Sequence, residues 1–438
     1  MRSLQARGPA SRAERLIALL NGRVVAELEQ SAGRTSLRYA EDWRRDPAAF
    51  PLSLSLPLAA AAHHSTAVEA YLRGLLPDND DVLRRWGSRF GVSPRNAFAL
   101  LAHVGEDCAG AVQFVLPDRL PELLEPHASS VQWIGEEEIA GRLADLKRDP
   151  AAGRQPRDLG QFSLAGAQPK MALLNLSGRW GVPSGRMPTT HILKPPIAGF
   201  DGHVENEHLC LALARALGLS AADSQVRRFG DEIAIVVTRY DRASAPPGSP
   251  IPIQRVHQED FCQALGVSPS LKYQRDGGPS PAAIVALIRE HSTAAADDVR
   301  SFLLALAFNW LIAGTDAHTK NYSLLLAEEG QVRLAPLYDL ASSLPYPSID
   351  QRKAKLAMKI GRTYDLADVN ARQWRRLADE LRLDAAAVLE EIARMAEAMP
   401  AAVGSTVEAA EGLNHPIVNR LAEALVARAG DSLRVLRM

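Results

Sequence analysis

The sequence predicts an α+β chain, with a small mixed N-terminal unit followed by two lobes, the first mixed and the second mainly helical. Three patterns carry this expectation. Apolar alternation and an Asn-Gly turn mark the N-terminal segment, and beyond residue 162 short apolar runs alternate with tight loops and one helix. Beyond residue 255 the apolar residues recur mostly with a helical period. The units expected are 1–120, 121–245 and 246–438.

Composition narrows the function classes. A chain of 438 residues accommodates two or three compact units with a sizeable core. With 50 Lys+Arg against 51 Asp+Glu, it has no whole-molecule field to attract nucleic acid or an anionic membrane. Hydrophobic residues at 47% and charged ones at 23% argue against a disordered or fibrous chain. The longest apolar stretch, Phe302 to Gly314, contains Asn309 and falls short of the roughly 18–20 residues a membrane helix needs. The run Leu16 to Leu20 stops at Asn21-Gly22, so neither a signal nor a transit peptide is read and a cytoplasmic location is expected. Cys108, Cys210 and Cys262 are odd in number and widely spaced, the pattern of reduced core thiols.

Taken in order, Arg15–Leu20 and Arg23–Leu28 flank Asn21-Gly22, which suits a two-residue hairpin turn with positive φ at both positions. Leu52, Leu54, Leu56 and Leu58 alternate with Ser53, Ser55 and Pro57, predicting an edge strand over Pro51–Leu58. Short helices are expected around Ala67–Leu76 and Asp80–Phe90. The arginines there, Arg73, Arg84, Arg85, Arg89 and Arg95, read as a solvated face rather than a nucleic-acid surface. Strands follow at Met171–Leu176, His191–Lys194 and Ile233–Thr238, with a helix over Val204–Leu217 stopped by Gly218. Ala245 to Pro250 is a loop, and helices are expected at Ala282–Ile288, Val299–Ile312 and Asp384–Met399.

The densest polar segment, Gly314-Thr-Asp-Ala-His-Thr-Lys-Asn321, sits at the end of the most apolar helix. Asp316 and Asn321 have the spacing of the base and the metal-holding amide in a protein-kinase catalytic loop; alone, that spacing equally describes a capped polar turn. Asp339, after a hairpin formed by Tyr322–Leu326 and Gln331–Leu334, is a second carboxylate able to share magnesium with Asn321. Upstream, the small residues of Ser163-Leu-Ala-Gly-Ala-Gln-Pro-Lys170 would let backbone N–H groups approach a polyphosphate. Lys194 ends an apolar strand where it could neutralise phosphate charge, with Glu207, or alternatively Glu205, to hold it. Each part is weak by itself. Their order, from loop through strand lysine, helix glutamate and lobe crossing to Asp-x4-Asn and a metal-type Asp, is that of a protein kinase.

The chain resembles the HipA family of bacterial type II toxin kinases. The segments that carry the resemblance are Ser163 to Lys170, His191 to Pro195, Glu205-Asn-Glu207, Gln258 to Gln263, Lys272-Tyr-x3-Gly-Gly-Pro279, Trp310 to Asn321 and Pro336-x-Tyr-Asp339. Asn21-Gly22, Pro51 to Leu58, Gly74-Leu-Leu-Pro77, Phe90 to Pro94 and Gly105 to Phe114 are similar to its N-terminal domain, so the likeness covers nearly the whole chain. It implies a bilobal, protein-kinase-like fold behind the N-terminal domain and a Ser/Thr protein kinase using ATP and Mg2+, with Asp316 as base and Asn321 and Asp339 holding the metal. Ala165, Gly166, Ala167, Gln168, Lys170, Lys194, the crossing Thr238-Arg239-Tyr240, His318, Lys320, Asn321, Tyr338 and Asp339 would line the nucleotide. Where the family commonly has Glu at the start of the crossing, this chain has Thr238. His318 and Lys320 would share the γ-phosphate, and Ser163 matches the family's autophosphorylated serine.

The resemblance further implies a HipB-like helix-turn-helix antitoxin, operator DNA contacted mainly through it, and a protein substrate such as an aminoacyl-tRNA synthetase or another translation protein. Two other readings stand beside it: a small-molecule phosphotransferase sharing Asp-x4-Asn, and a non-catalytic corepressor acting only with an antitoxin.

Overall fold

The structure, a computed structural model, describes residues 14–64, 66–125, 129–153, 163–249, 251–410 and 412–438. The opening thirteen residues of the expected N-terminal unit therefore lie outside the described residues, as does Pro250 of the expected loop.

Glu14–Leu20 and Arg23–Ser31 form the expected hairpin, with Asn21 at φ 47° and Gly22 at φ 85° in its turn. Arg34–Tyr39 and Ala62–His64 extend the sheet on one side and Val112–Val115 on the other, all antiparallel. Helices Thr66–Gly74, Asp80–Phe90 and Ala97–Val104 cover it, closing a core that includes Leu16, Leu28, Tyr71, Phe98 and Phe114. Arg84 pairs with Asp81 and Arg85 with Asp149, as on a solvated face.

Pro51 to Leu58 is not a strand. Its leucines do divide by depth, with Leu52 and Leu56 fully buried, but the backbone turns, Leu56 N–H donating to Ser53 O at 2.9 Å. Two prolines remove ladder donors, and the remaining polar groups are taken elsewhere. Leu54 N–H donates to Glu259 Oε1 at 2.8 Å and Ser53 Oγ to Glu259 Oε2 at 2.5 Å.

The mixed lobe is a six-stranded sheet in the order Ser224–Phe229, Glu232–Thr238, His191–Lys194, Met171–Leu176, Arg179–Ser184, Ser130–Ile134. Arg179–Ser184 and Ser224–Phe229 carry Gly, Pro or paired arginines, which masked their period in the sequence. Helix Glu136–Arg148 packs Ile139, Leu143 and Leu146 on one face, while His203–Ala216 turns Val204, Leu209 and Leu213 towards Ile235 and the helical lobe.

Ala295–Leu311 runs through the centre of the helical lobe, against Pro281–His291, Ala385–Ala409 and Ile417–Arg437. The helix expected to stop at Met399 continues through Pro400. Burial of Ala402, Val403 and Thr406 sustains it past the hydrogen bond that proline removes. A three-stranded sheet of His257–Asp260, Ser323–Ala327 and Gln331–Leu334 lies beside the Gly314–Asn321 loop. Cys108, Cys210 and Cys262 are buried free thiols. No helix among the described residues is long and apolar enough to cross a membrane.

Candidate active site

Lys194 is the last residue of a short strand held between two others, its register partner being Ile235, and Pro195 ends the pairing because it has no N–H to give. The side chain is buried in the cleft between the lobes. Its Nζ donates to Glu207 Oε1 at 2.7 Å and to Asp339 Oδ1 at 2.5 Å, so it is Glu207 rather than Glu205 that receives the ammonium. Burial works against charge on Lys194, but Asp339 and Glu207 outweigh it and raise its pKa. Burial likewise opposes ionisation of Asp339, whose carboxyl Lys194 and Lys170 nevertheless hold well below the usual range. Asp339 sits at φ 58°, a left-handed conformation uncommon for a residue with a Cβ, and its side chain stays 36% accessible from the cleft.

The loop after the apolar helix folds back on itself. Asn321 Nδ2 donates to Asp316 O at 3.0 Å, His318 N–H to the same oxygen at 2.7 Å, and Asn321 N–H to His318 O at 2.8 Å. At its start a Cβ on Gly314 would collide with Asn309 Oδ1. Asp316 points outward and accepts from Tyr273 Oη at 2.5 Å. His318 is buried edge-on to the Tyr273 ring at 5.0 Å, and burial together with Lys272 pushes its pKa down to about 4, so it is neutral at pH 7.

Ser163 to Lys170 crosses the cleft mouth. Gly166 adopts φ +102°, where a Cβ would land on the Lys170 ammonium, and Lys170 Nζ donates to Ala165 O at 2.6 Å. Burial and neighbouring Lys194 bring Lys170 down to about 8. The N-terminal unit grips this loop: Ser163 Oγ donates to Leu75 O at 2.8 Å, Ser163 N–H to Asp107 O at 3.0 Å, and Asp78 N–H to Gly166 O at 3.2 Å. Ser163 is fully buried.

The crossing segment serves the cleft unequally. Arg239 is fully engaged on the far side, donating to Asp241 at 3.0 and 2.9 Å, Thr189 Oγ1 at 2.9 Å and Cys108 O at 2.8 Å. Its guanidinium is thus turned to the N-terminal unit, and only its backbone is left for a nucleotide. Tyr240 lies with its ring 5.8 Å from that of Tyr338, whose Oη donates to Lys320 O at 2.6 Å.

One cleft of about 500 Å3 brings these groups together. Ala165, Gly166, Ala167, Gln168, Lys170, Lys194, Glu207, Thr238, Arg239, Tyr240, Asp316, His318, Lys320, Asn321, Tyr338 and Asp339 all border it, whereas Ser163 does not. Sequence reasoning gave no role to Asp78, which accepts from Lys320 Nζ at 2.6 Å and Lys272 Nζ at 3.0 Å. The signal was there in the resemblance of Gly74 to Pro77 and of Lys272-Tyr273, but nothing in the spacing joins segments so far apart.

Glu259, on the cleft wall beneath Ser53 and Leu54, is an acid whose burial pushes its pKa up to about 8, against the hydrogen bonds from Ser53 and Leu54. The folded chain therefore holds a proton there that the unfolded chain releases near pH 4.5, and this group erodes stability as pH rises from about 4.5 to about 8. Glu259→Gln retains an acceptor for Leu54 N–H and sets an amide N–H against Ser53 Oγ in place of the carboxylic O–H. It is expected to lie close to wild type near pH 5 and to gain on it by ~3–4 kcal/mol between pH 5 and pH 8. Urea melts at the two pH values measure the gap, and equal gaps would refute the assignment.

The model of the HipA-like C-terminal domain matches residues 162–403, and that of the HipA N-terminal domain residues 16–115. The chain belongs to the HipA family. It is 31% identical to the serine/threonine-protein kinase toxin HipA of Shewanella oneidensis over 404 residues, covering 88% of this chain and 87% of that protein. It is 36% identical over 414 residues to Y4mE of Sinorhizobium fredii, covering 93% of this chain and 96% of its relative. Among solved structures, the Shewanella oneidensis complex of HipA, HipB and operator DNA contains a chain that matches with a TM-score of 0.82 at 28% identity, over 96% of this HipA-family chain and 98% of its counterpart. The α+β, kinase-like architecture is that of the HipA fold.

Proposed function

We propose that this chain is a serine/threonine protein kinase that uses ATP and acts as the toxin of a type II toxin–antitoxin pair. The observation that carries the reading is the convergence of the Lys194–Glu207 pair, Asp339 and the Asp316–Asn321 loop on one cleft, from three separate stretches of sequence. Lys194 and the loop Ala165 to Lys170 would hold the nucleotide phosphates, and the backbone of Thr238 to Tyr240 the base. The substrate hydroxyl oxygen forms its bond to the γ-phosphorus while the bond from that phosphorus to the β,γ-bridging oxygen breaks. ADP leaves with the electron pair, and Asp316 takes the hydroxyl proton.

The residues fit magnesium. Asn321 and Asp339 offer hard oxygen donors, and Glu207 Oε2, buried beside Lys194, has no hydrogen-bond partner among the described residues. Among the described residues no three His, Cys, Asp or Glu side chains form a metal cluster. An ion held by one carboxylate, one amide and nucleotide phosphates needs none, and it would neutralise phosphate charge there.

Ser163 is the proposed autophosphorylation site. Because it is fully buried against Leu75 O, the loop must leave the N-terminal unit before its hydroxyl can reach Asp316, and a phosphate of about two charges could not return there. A HipB-like antitoxin with operator DNA is the proposed partner, by analogy with the Shewanella oneidensis complex. A translation protein such as an aminoacyl-tRNA synthetase is the proposed substrate.

The test incubates purified chain with magnesium and labelled ATP, alone and with candidate protein substrates, beside Asp316→Asn. Label on serine or threonine in wild type, lowered ~10²–10⁴-fold in the variant, is the expected result. No label on protein, or label on a small metabolite alone, overturns the reading.

A further inference from the structure

The N-terminal unit does more in the structure than pack against the kinase-like lobes. Asp78 leaves its fold just after Pro77, whose backbone bridges to Gly166, and enters the cleft. One carboxylate oxygen accepts from Lys320 of the catalytic loop at 2.6 Å, and the other from Lys272 at 3.0 Å. All three side chains are largely buried, at 9% exposure for Asp78, 3% for Lys320 and 16% for Lys272. Meanwhile the Asp78 N–H donates to Gly166 O in the nucleotide loop at 3.2 Å. A single residue thus ties the phosphate loop to two ammonium groups bordering the same cavity.

Two buried ammonium groups side by side repel, and without a shared anion each would swing to solvent or to the nearest free oxygen. A bridging carboxylate fixes both, while each –NH3+ keeps donors to spare. Among the described residues the other carboxylate facing Lys320 is Asp260, on the strand behind it, whose side chain already caps helix Phe261–Ala264 through Gln263 N–H at 2.9 Å. Asp78 is therefore the carboxylate that holds both lysines.

We infer that Asp78 is a positioning residue of the phosphoryl-transfer site, supplied by the N-terminal unit, which sets Lys320 and Lys272 against the transferred phosphoryl group. The inference rests on the kinase reading and extends it, since the cleft of the two lobes is incomplete without this residue. It acts through the lysines and touches no substrate.

The role predicts a split between binding and turnover. In Asp78→Asn the lysines lose their anion and are free to grip the ground-state triphosphate, so the KM for ATP stays level or falls. The aligned arrangement needed in transition is lost, and kcat drops tenfold or more. Asp78→Glu, which restores the charge, recovers at least a third of the wild-type kcat. These constants are measured with the full-length chain, labelled ATP and a substrate that wild type phosphorylates, and thermal melting verifies that each variant is folded. A folded Asp78→Asn with kcat within threefold of wild type overturns the inference. So does a parallel loss of kcat, ATP affinity and melting temperature that Asp78→Glu does not repair, which is the signature of a purely structural contact. If wild type itself transfers no label, the kinase reading falls and takes this inference with it, whereas an active wild type beside an unaffected variant removes the inference alone.

Discussion

Lys194→Met is expected to abolish phosphoryl transfer, by ~10³-fold or more, and to destabilise the chain as well. The ammonium bridges the helix carboxylate Glu207 and the strand-exit carboxylate Asp339. Methionine fills much the same volume but leaves Glu207, 1% exposed and with Oε2 already lacking a partner among the described residues, as an uncompensated buried charge. Breaking such a pair costs about 3–5 kcal/mol. The two losses have different origins and can be separated. In the double variant Lys194→Met/Glu207→Gln the orphaned charge is gone, so most of the lost stability returns. Transfer does not, because nothing faces the phosphates from the strand. Melting curves and labelled-ATP assays on wild type, both single variants and the double variant make the comparison. Stability that stays low in the double variant, or transfer that returns, would contradict this account of the lysine.

Much of this site could be read from the chain, and the reasons differ from residue to residue. Lys194 and Glu207 were readable because a strand ending in lysine and the next helix, with an early glutamate, place them only 13 residues apart. The hairpin at Asn21-Gly22 was readable because turn chemistry is local. Pro51 to Leu58 misled for the opposite reason. Its period of two is real in the burial of Leu52 and Leu56, but whether backbone donors find a ladder depends on Glu259, some two hundred residues away. Arg239 sits at a legible crossing, yet its direction is decided by Asp241, Cys108 and Thr189, which no local pattern connects to it. Asp78 received no role for the same reason, since its partners Lys272 and Lys320 lie about two hundred residues away. Local periodicity reports which face is buried, and the long-range polar partners that orient a functional side chain leave no period behind.

Asp107 makes that point energetically, and its loss carries the second large expected effect. Asp107 belongs to the N-terminal unit, yet it lies under the lobe crossing. There it accepts from Arg242 at 2.8 Å, Arg255 at 3.2 Å, Thr189 Oγ1 at 2.6 Å and Thr189 N–H at 3.1 Å, with Arg239 at 3.6 Å. The arginine side chains are only 2–3% exposed, and Asp241 is the other carboxylate among them. Burial opposes ionisation of Asp107, but Arg242, Arg255 and Arg239 outweigh it and hold its carboxyl well below the ordinary range. Asp107→Ala leaves three buried guanidinium groups to one carboxylate, so about 3–5 kcal/mol of stability should go. Because Asp107 and Asp241 anchor Arg239 of Thr238 to Tyr240, the crossing proposed to meet the nucleotide base, the KM for ATP should rise. The pH dependence follows from the depressed carboxyl. Its contribution is complete above the ordinary Asp value near 3.9 and drains away as pH falls below it, so wild type loses stability steeply below pH 4. Asp107→Asn, which lacks the titrating group, should start lower at pH 7 and fall less steeply there. Thermal melts from pH 7 down to pH 3 compare the slopes. Parallel curves for the two proteins would mean that the arginines are neutralised by something other than Asp107, and that the N-terminal unit is not what fixes the crossing in place.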